Sequence, residues 1–129
     1  MSTIPNEHGE QSAVIEWSAT RQAALPELEL LYAVPNGGLR HKAVAGRLKA
    51  EGVKSGVPDL CLPVARGGYH SLYIEMKTLA GSASEKQRQW IARLQREGHR
   101  AEVCYGAAEA IALIETYLGV PEHDRTQIS

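Results

Sequence analysis

A chain of 129 residues, 43% of them hydrophobic and 22% charged, can build one well-buried core and has no length for a second. No apolar run approaches the roughly 20 residues needed to cross a bilayer, and residues 1–11 are too polar and acidic to read as a signal peptide. The net charge of −1 gives no overall pull towards nucleic acid, but the charge is unevenly spread. Residues 1–30 carry Glu7, Glu10, Glu16, Glu27 and Glu29 against Arg21 alone, whereas residues 36–58 carry Arg40, Lys42, Arg47, Lys49 and Lys54 against Glu51. A basic segment of that kind makes a local phosphate-binding surface even in a neutral chain.

Phe is absent, so aliphatic side chains must fill most of the core. Cys61 and Cys104 lie in apolar stretches, lack zinc-ligand or disulfide spacing, and read as small buried thiols in a reducing, cytoplasmic setting.

In chain order, residues 9–24 read as a helix with Ala13, Val14, Trp17, Ala24 and Leu25 on one side, ended by Pro26. Residues 30–34 are a short apolar run before the turn Pro35-Asn36-Gly37-Gly38, which predicts a strand. A short helix over 42–51 stops at Gly52. Residues 57–64 predict a strand, with Val57, Asp59 and Cys61 on one face. After Arg66-Gly67-Gly68, residues 72–77 alternate more cleanly, Leu72, Ile74 and Met76 against Tyr73, Glu75 and Lys77. The two runs read as an adjacent antiparallel pair.

Ser84-Glu85-Lys86-Gln87 forms a capping box that opens a helix carrying Trp90, Ile91 and Leu94 and stopping at Gly98. A strand over 101–105 and a helix over 107–118, closed by Gly119, complete the pattern. The polar tail after Pro121 reads as frayed. The order αβαββαβα predicts an α/β fold with one mixed β-sheet flanked by helices. Residues 1–120 then form a single domain, with 121–129 as its tail.

The chemistry-bearing feature is Pro58-Asp59 followed, sixteen residues on, by Glu75-Met76-Lys77. Residues two apart in a strand share a face, so Glu75 and Lys77 project together, and a paired neighbouring strand brings Asp59 alongside. Two carboxylates that close both stay ionised only with a cation between them, and hard oxygen ligands without Cys or His suit Mg²⁺ or Mn²⁺. A lysine beside such an ion can orient an attacking water and offset charge on a phosphate. A solvated sheet face is the simpler reading of a bare Glu-x-Lys. Against it, Asp59 sits in an otherwise apolar run, where an unpaired carboxylate is costly to bury.

Pro58-Asp59…Glu75-Met76-Lys77 resembles the signature of the PD-(D/E)xK nuclease superfamily. Pro35-Asn36-Gly37-Gly38-Leu39-Arg40, residues 47–60, residues 72–77, Ser84-Glu85-Lys86-Gln87 and the closing segment 98–118 together resemble the VRR-NUC family, covering roughly residues 7–118. That resemblance implies a restriction-endonuclease-like core and metal-dependent DNA cleavage. Matched position by position, it makes Asp59 and Glu75 metal ligands, adds the Met76 carbonyl, and makes Lys77 the catalytic lysine. Gln87 becomes a further residue near the active site, against the plainer reading of a capping-box partner only.

The family's N-terminal helical Glu falls on Glu7, Glu10 or Glu16. Glu7 is favoured because it stands four residues before Gln11, as in the family's opening pattern. Asn36, Gly37, Arg40, Lys42, Lys49 and Lys54 are the candidate DNA contacts, although the Asn-Gly-Gly turn also has a purely conformational use. Stand-alone members resemble homodimeric resolvases of phage or prophage type, which implies branched DNA, four-way (Holliday) junctions above all, as substrate. Two competing readings are a sequence-specific restriction-type endonuclease and a non-catalytic DNA-binding or assembly subunit on the same scaffold.

Overall fold

The computed structural model describes residues 6–35 and 42–127, with the side chains of residues 42 and 43 left aside. The first helix, α1 (Glu7–Arg21), starts where Asn6 accepts the Gly9 N–H at 2.7 Å. That cap, absent from the expected 9–24 span, moves the helix two residues earlier. It also ends at Arg21, because Pro26 opens a separate 3₁₀ turn, Pro26–Leu30. Ala24 therefore lies exposed in the intervening turn rather than on the core face.

The same 3₁₀ turn consumes the start of the expected strand over 30–34, and only β1 (Tyr32–Ala33) pairs. Helix α2 (Lys42–Ala50) follows, close to its expected place. Strand β2 is limited to Leu60–Leu62, and β3 (Leu72–Lys77) has the expected bounds. Then come α3 (Glu85–Arg96), β4 (Arg100–Tyr105) and α4 (Ala107–Leu118).

The four strands lie in the order β1-β2-β3-β4, with the first three antiparallel and β4 parallel to β3. The sheet is mixed, as the element order predicted, and helices flank it. Leu60 and Leu62 of β2, Leu72, Ile74 and Met76 of β3, and Cys104 of β4 form one sheet face. They pack with Val14 of α1 and with Ala110, Ile111 and Ile114 of α4. Alternation sends Tyr73, Glu75 and Lys77 to the opposite face, where α3 lies along β4. Both cysteines are buried and free.

The strand expected over 57–64 is short at its start because Pro58 has no N–H to donate and Gly56 turns the chain at φ +93°. Gly56 is also a close approach. A Cβ there would lie 2.8 Å from Trp90 Cδ1 and 2.9 Å from Lys86 Cγ, so the segment leading to Asp59 is pressed against α3. Replacing Gly56 by Ala is expected to lower the unfolding midpoint and to weaken divalent-ion binding together, since it strains the backbone and shifts Asp59. Thermal melts with and without Mn²⁺ measure both effects.

Through residue 127 the tail is not frayed. A 3₁₀ turn, Glu122–Asp124, leads to Thr126, whose N–H and hydroxyl both donate to Glu115 on α4, while its hydroxyl accepts the Trp17 indole N–H at 2.8 Å. Arg21 donates to the Asp124 carbonyl and Arg125 to Thr116 and the Val120 carbonyl. Residues 121–127 thus tie α1 to α4 across the core.

Candidate active site

Continuing the β2–β3 register of Leu60↔Ile74 by one residue sets Asp59 opposite Glu75. Asp59 stands just before β2, where its carbonyl accepts the Val34 N–H at 2.8 Å and its Oδ2 accepts the Met76 N–H at 2.7 Å. Glu7, in the first turn of α1, comes in from the other side. One carboxylate oxygen from each of Glu7, Asp59 and Glu75 lies within 4.8 Å of the other two.

Lys77 closes the group, its Nζ 3.4 Å from Glu7 Oε1 and 3.5 Å from Glu75 Oε2. Glu75 is 1% exposed and Lys77 7%, so this is not the solvated face that a bare Glu-x-Lys suggests. The parallel neighbour β4 supports the end of β3 where they sit, Gly106 donating to the Lys77 carbonyl at 2.8 Å.

Gln87 links the cluster to α3. Its Oε1 accepts the Ser84 N–H at 2.8 Å while its Nε2 donates to Glu75 Oε2 at 3.0 Å. Gln87 thus completes the capping box and reaches the acidic cluster at once, because a carboxamide carries one acceptor and one donor group. Glu, an equally good capping-box residue, lacks the donor. Gln87→Glu should keep α3 capped yet weaken Mn²⁺ binding about 10–100-fold, the range for residues that orient metal ligands. Calorimetric titration beside a helix-content measurement separates the two roles.

Burial, followed by the neighbouring Asp59 charge, raises the Glu75 carboxyl to about 8; Lys77 pulls it back only in part. The remaining Glu75 oxygen, Oε1, is buried and has no hydrogen-bond partner among the described residues. An orphaned buried oxygen in a pocket of three carboxylates is the environment that a hard divalent cation satisfies, and the donor set contains only oxygen.

The other N-terminal carboxylates go elsewhere. Glu10 accepts the Ala107 N–H at 3.4 Å at the start of α4, where the helix dipole favours a negative charge, and Glu16 is exposed on α1. Nothing near Glu10 in sequence announces a partner 97 positions away, so this role could not be read beforehand. Lys49 and Lys54 are exposed on α2 and the loop after it. Asn36, Gly37 and Arg40 fall outside the described residues, and of Lys42 only its place at the start of α2 is described.

With that geometry in place, the comparisons bear on family. The model of the VRR-NUC domain matches residues 1–108. The chain belongs to the VRR-NUC family. A solved structure described as a VRR_NUC domain protein superposes with a TM-score of 0.78 at 32% identity, covering 92% of this chain and 93% of that one. No curated protein matches. VRR-NUC membership places the fold in the restriction-endonuclease-like superfamily and implies a nuclease-type function, with which the acidic cluster is compatible. No helix among the described residues is long and apolar enough to cross a membrane.

Proposed function

We propose that this VRR-NUC chain is a divalent-metal-dependent DNA endonuclease that hydrolyses phosphodiester bonds, acting on branched DNA as a homodimer. Residues 1–120 are its single nuclease domain. The observation that carries the reading is the convergence of Glu7, Asp59 and Glu75 within 4.8 Å of one another beside Lys77, with one buried Glu75 oxygen left for a cation.

Glu7, Asp59, Glu75 and the Met76 carbonyl are the ligands in this reading, and Mg²⁺ or Mn²⁺ the fitting ions. Such an ion supplies Lewis-acid polarisation of a phosphoryl oxygen and offsets the charge that develops on it. The protein's own groups do the rest. Lys77, nearly enclosed, presents a fixed ammonium to the phosphate and to the attacking water. Gln87 holds Glu75 in one orientation, and the Met76 N–H does the same for Asp59. Asn36, Gly37, Arg40, Lys42, Lys49 and Lys54 supply the backbone contacts that place the DNA.

The junction preference rests on the resemblance to stand-alone, phage- or prophage-type resolvases of the bacterial cytoplasm, in which two sites related by a two-fold axis make paired cuts natural. A restriction-type enzyme normally needs extra elements to read base edges. A non-catalytic binding subunit would have no use for a buried lysine held between two carboxylates.

Cleavage of labelled four-way junction, splayed-arm and linear duplex DNA with Mg²⁺ or Mn²⁺, beside Lys77→Ala and a chelator, tests the proposal. Symmetrical cuts in the junction alone, lost in both controls, are expected. Equal cutting of every substrate would keep the nuclease and remove the junction preference. No cutting by folded, metal-loaded protein would favour the binding subunit.

A further inference from the structure

Among the described residues one aliphatic side chain is strongly exposed, and it follows Lys77 of the acidic cluster by two positions. Leu79 is 87% exposed, whereas the other exposed large hydrophobic residues, Leu30, Tyr32, Tyr69 and Ile15, range from 52% down to 38%. It occupies, with Ala80, the centre of a tight turn closed by the Gly81 N–H donating to the Thr78 carbonyl at 3.0 Å. Such turn centres favour Gly, Asn, Asp, Ser or Pro, so a leucine there goes against the local preference and gains no burial in return.

The turn is also short and held at both ends. On one side it leaves β3 at Lys77. On the other, Ala83 is buried, its carbonyl accepts from the Arg88 guanidinium, and Ser84 caps α3. Two residues of chain put the Leu79 Cα at most about 7 Å from that of Lys77. An apolar side chain is therefore exposed on a turn anchored to the end of β3 that carries Lys77.

We infer that Leu79 is a wedge that enters the base step next to the bound phosphate and partly unstacks it. Apolar wedges of this kind bend and open duplexes at the cost of stacking, and the cost is least where a step is already disrupted. Leu79 would then lower the cost of opening the cut site, with most effect where the adjoining step is still fully paired. The inference rests on the nuclease reading for where the phosphate sits, but it has its own readout.

The test pairs cleavage with 2-aminopurine fluorescence, which rises when the base unstacks. Junction DNA carrying 2-aminopurine at successive positions around the branch is bound by Lys77→Ala protein with Leu, Ala or Met at position 79. Fluorescence should rise with Leu and Met and stay flat with Ala. In cleavage, Leu79→Ala should cut a fully paired site about tenfold more slowly and a site with a mismatch at the adjoining step at the wild-type rate. Leu79 is nearly free of the rest of the protein, so folding is not at stake.

A fluorescence rise that survives Leu79→Ala, or equal loss of cutting on paired and mismatched sites, would overturn the wedge. A Leu79-dependent rise in protein that cuts nothing with Lys77 intact would sink the nuclease reading and leave the wedge standing. No rise with Leu at position 79 would sink the wedge whatever is cut.

Discussion

Lys77→Ala should reduce metal-dependent DNA cleavage by about 10²–10³-fold while leaving DNA binding within a few-fold of wild type, the scale for losing one preorganised charge at a developing oxyanion. The expectation follows from where the ammonium sits. At 7% exposure, and 3.4 and 3.5 Å from two carboxylates, it is fixed in advance of the substrate and shielded from solvent screening. Arginine is not an adequate replacement, because its planar fork would not fit a space shaped for a compact ammonium.

Lys49→Ala is the contrasting control. An exposed lysine touching backbone phosphate should weaken binding to every sequence alike and reduce the salt dependence by about one unit, with little change in the rate of cutting bound DNA. Single-turnover cleavage and salt-dependent binding, measured on both variants, separate the two behaviours. A Lys77→Ala enzyme as active as wild type would remove the lysine from the chemistry and leave the hydrolysis to the carboxylate cluster and the ion it holds.

The parts of this site that were legible in sequence are those governed by local periodicity. The alternation of Leu72, Ile74 and Met76 against Tyr73, Glu75 and Lys77 defines β3 and puts Glu75 and Lys77 on one face, and the structure has that strand with those bounds. Ala107–Leu118 is equally plain, since Gly119 ends it in the left-handed conformation at φ +75°. Asp59 was brought to the right neighbour by the wrong means. It was expected within a long strand, but Pro58 and Gly56 end the strand first, and from the position just before β2 its carboxylate accepts the Met76 N–H.

What stayed hidden is long-range. Glu10 and Ala107 meet only because α1 packs on α4, and Thr126 meets Trp17 only because the tail crosses both helices. Composition pointed the wrong way for that tail, since polar residues after a proline also describe a free end. Gln87 was hard to read for a different reason. Its two readings were set against each other, although its two polar atoms let it satisfy both.

Removing residues 121–129 should cost the fold about 3–5 kcal/mol, the scale for stripping partners from a buried charge. Glu115 is 1% exposed, and the Thr126 N–H at 3.0 Å and hydroxyl at 2.8 Å donate to its Oε2. The nearest cation, Arg21, reaches it only at 4.0 Å and is itself drawn towards the Asp124 carbonyl of the same tail. Truncation therefore leaves a buried carboxylate with a distant counter-charge and takes the partner from the Trp17 indole N–H as well. Thr126→Ala, which removes only the hydroxyl between Trp17 and Glu115, should cost less, about 1–3 kcal/mol.

A second change tells the loss of donors from a general loss of packing. Glu115→Leu in the truncated chain replaces the stranded charge with an apolar group and should recover most of the lost stability. In the full-length chain the same substitution leaves the Thr126 donors without their acceptor and should be destabilising. Urea unfolding of the four proteins gives the coupling directly. Equal effects of Glu115→Leu with and without the tail would mean that Glu115 and the tail stabilise the fold independently, and that the tail acts through Arg21, Trp17 and Thr116 alone.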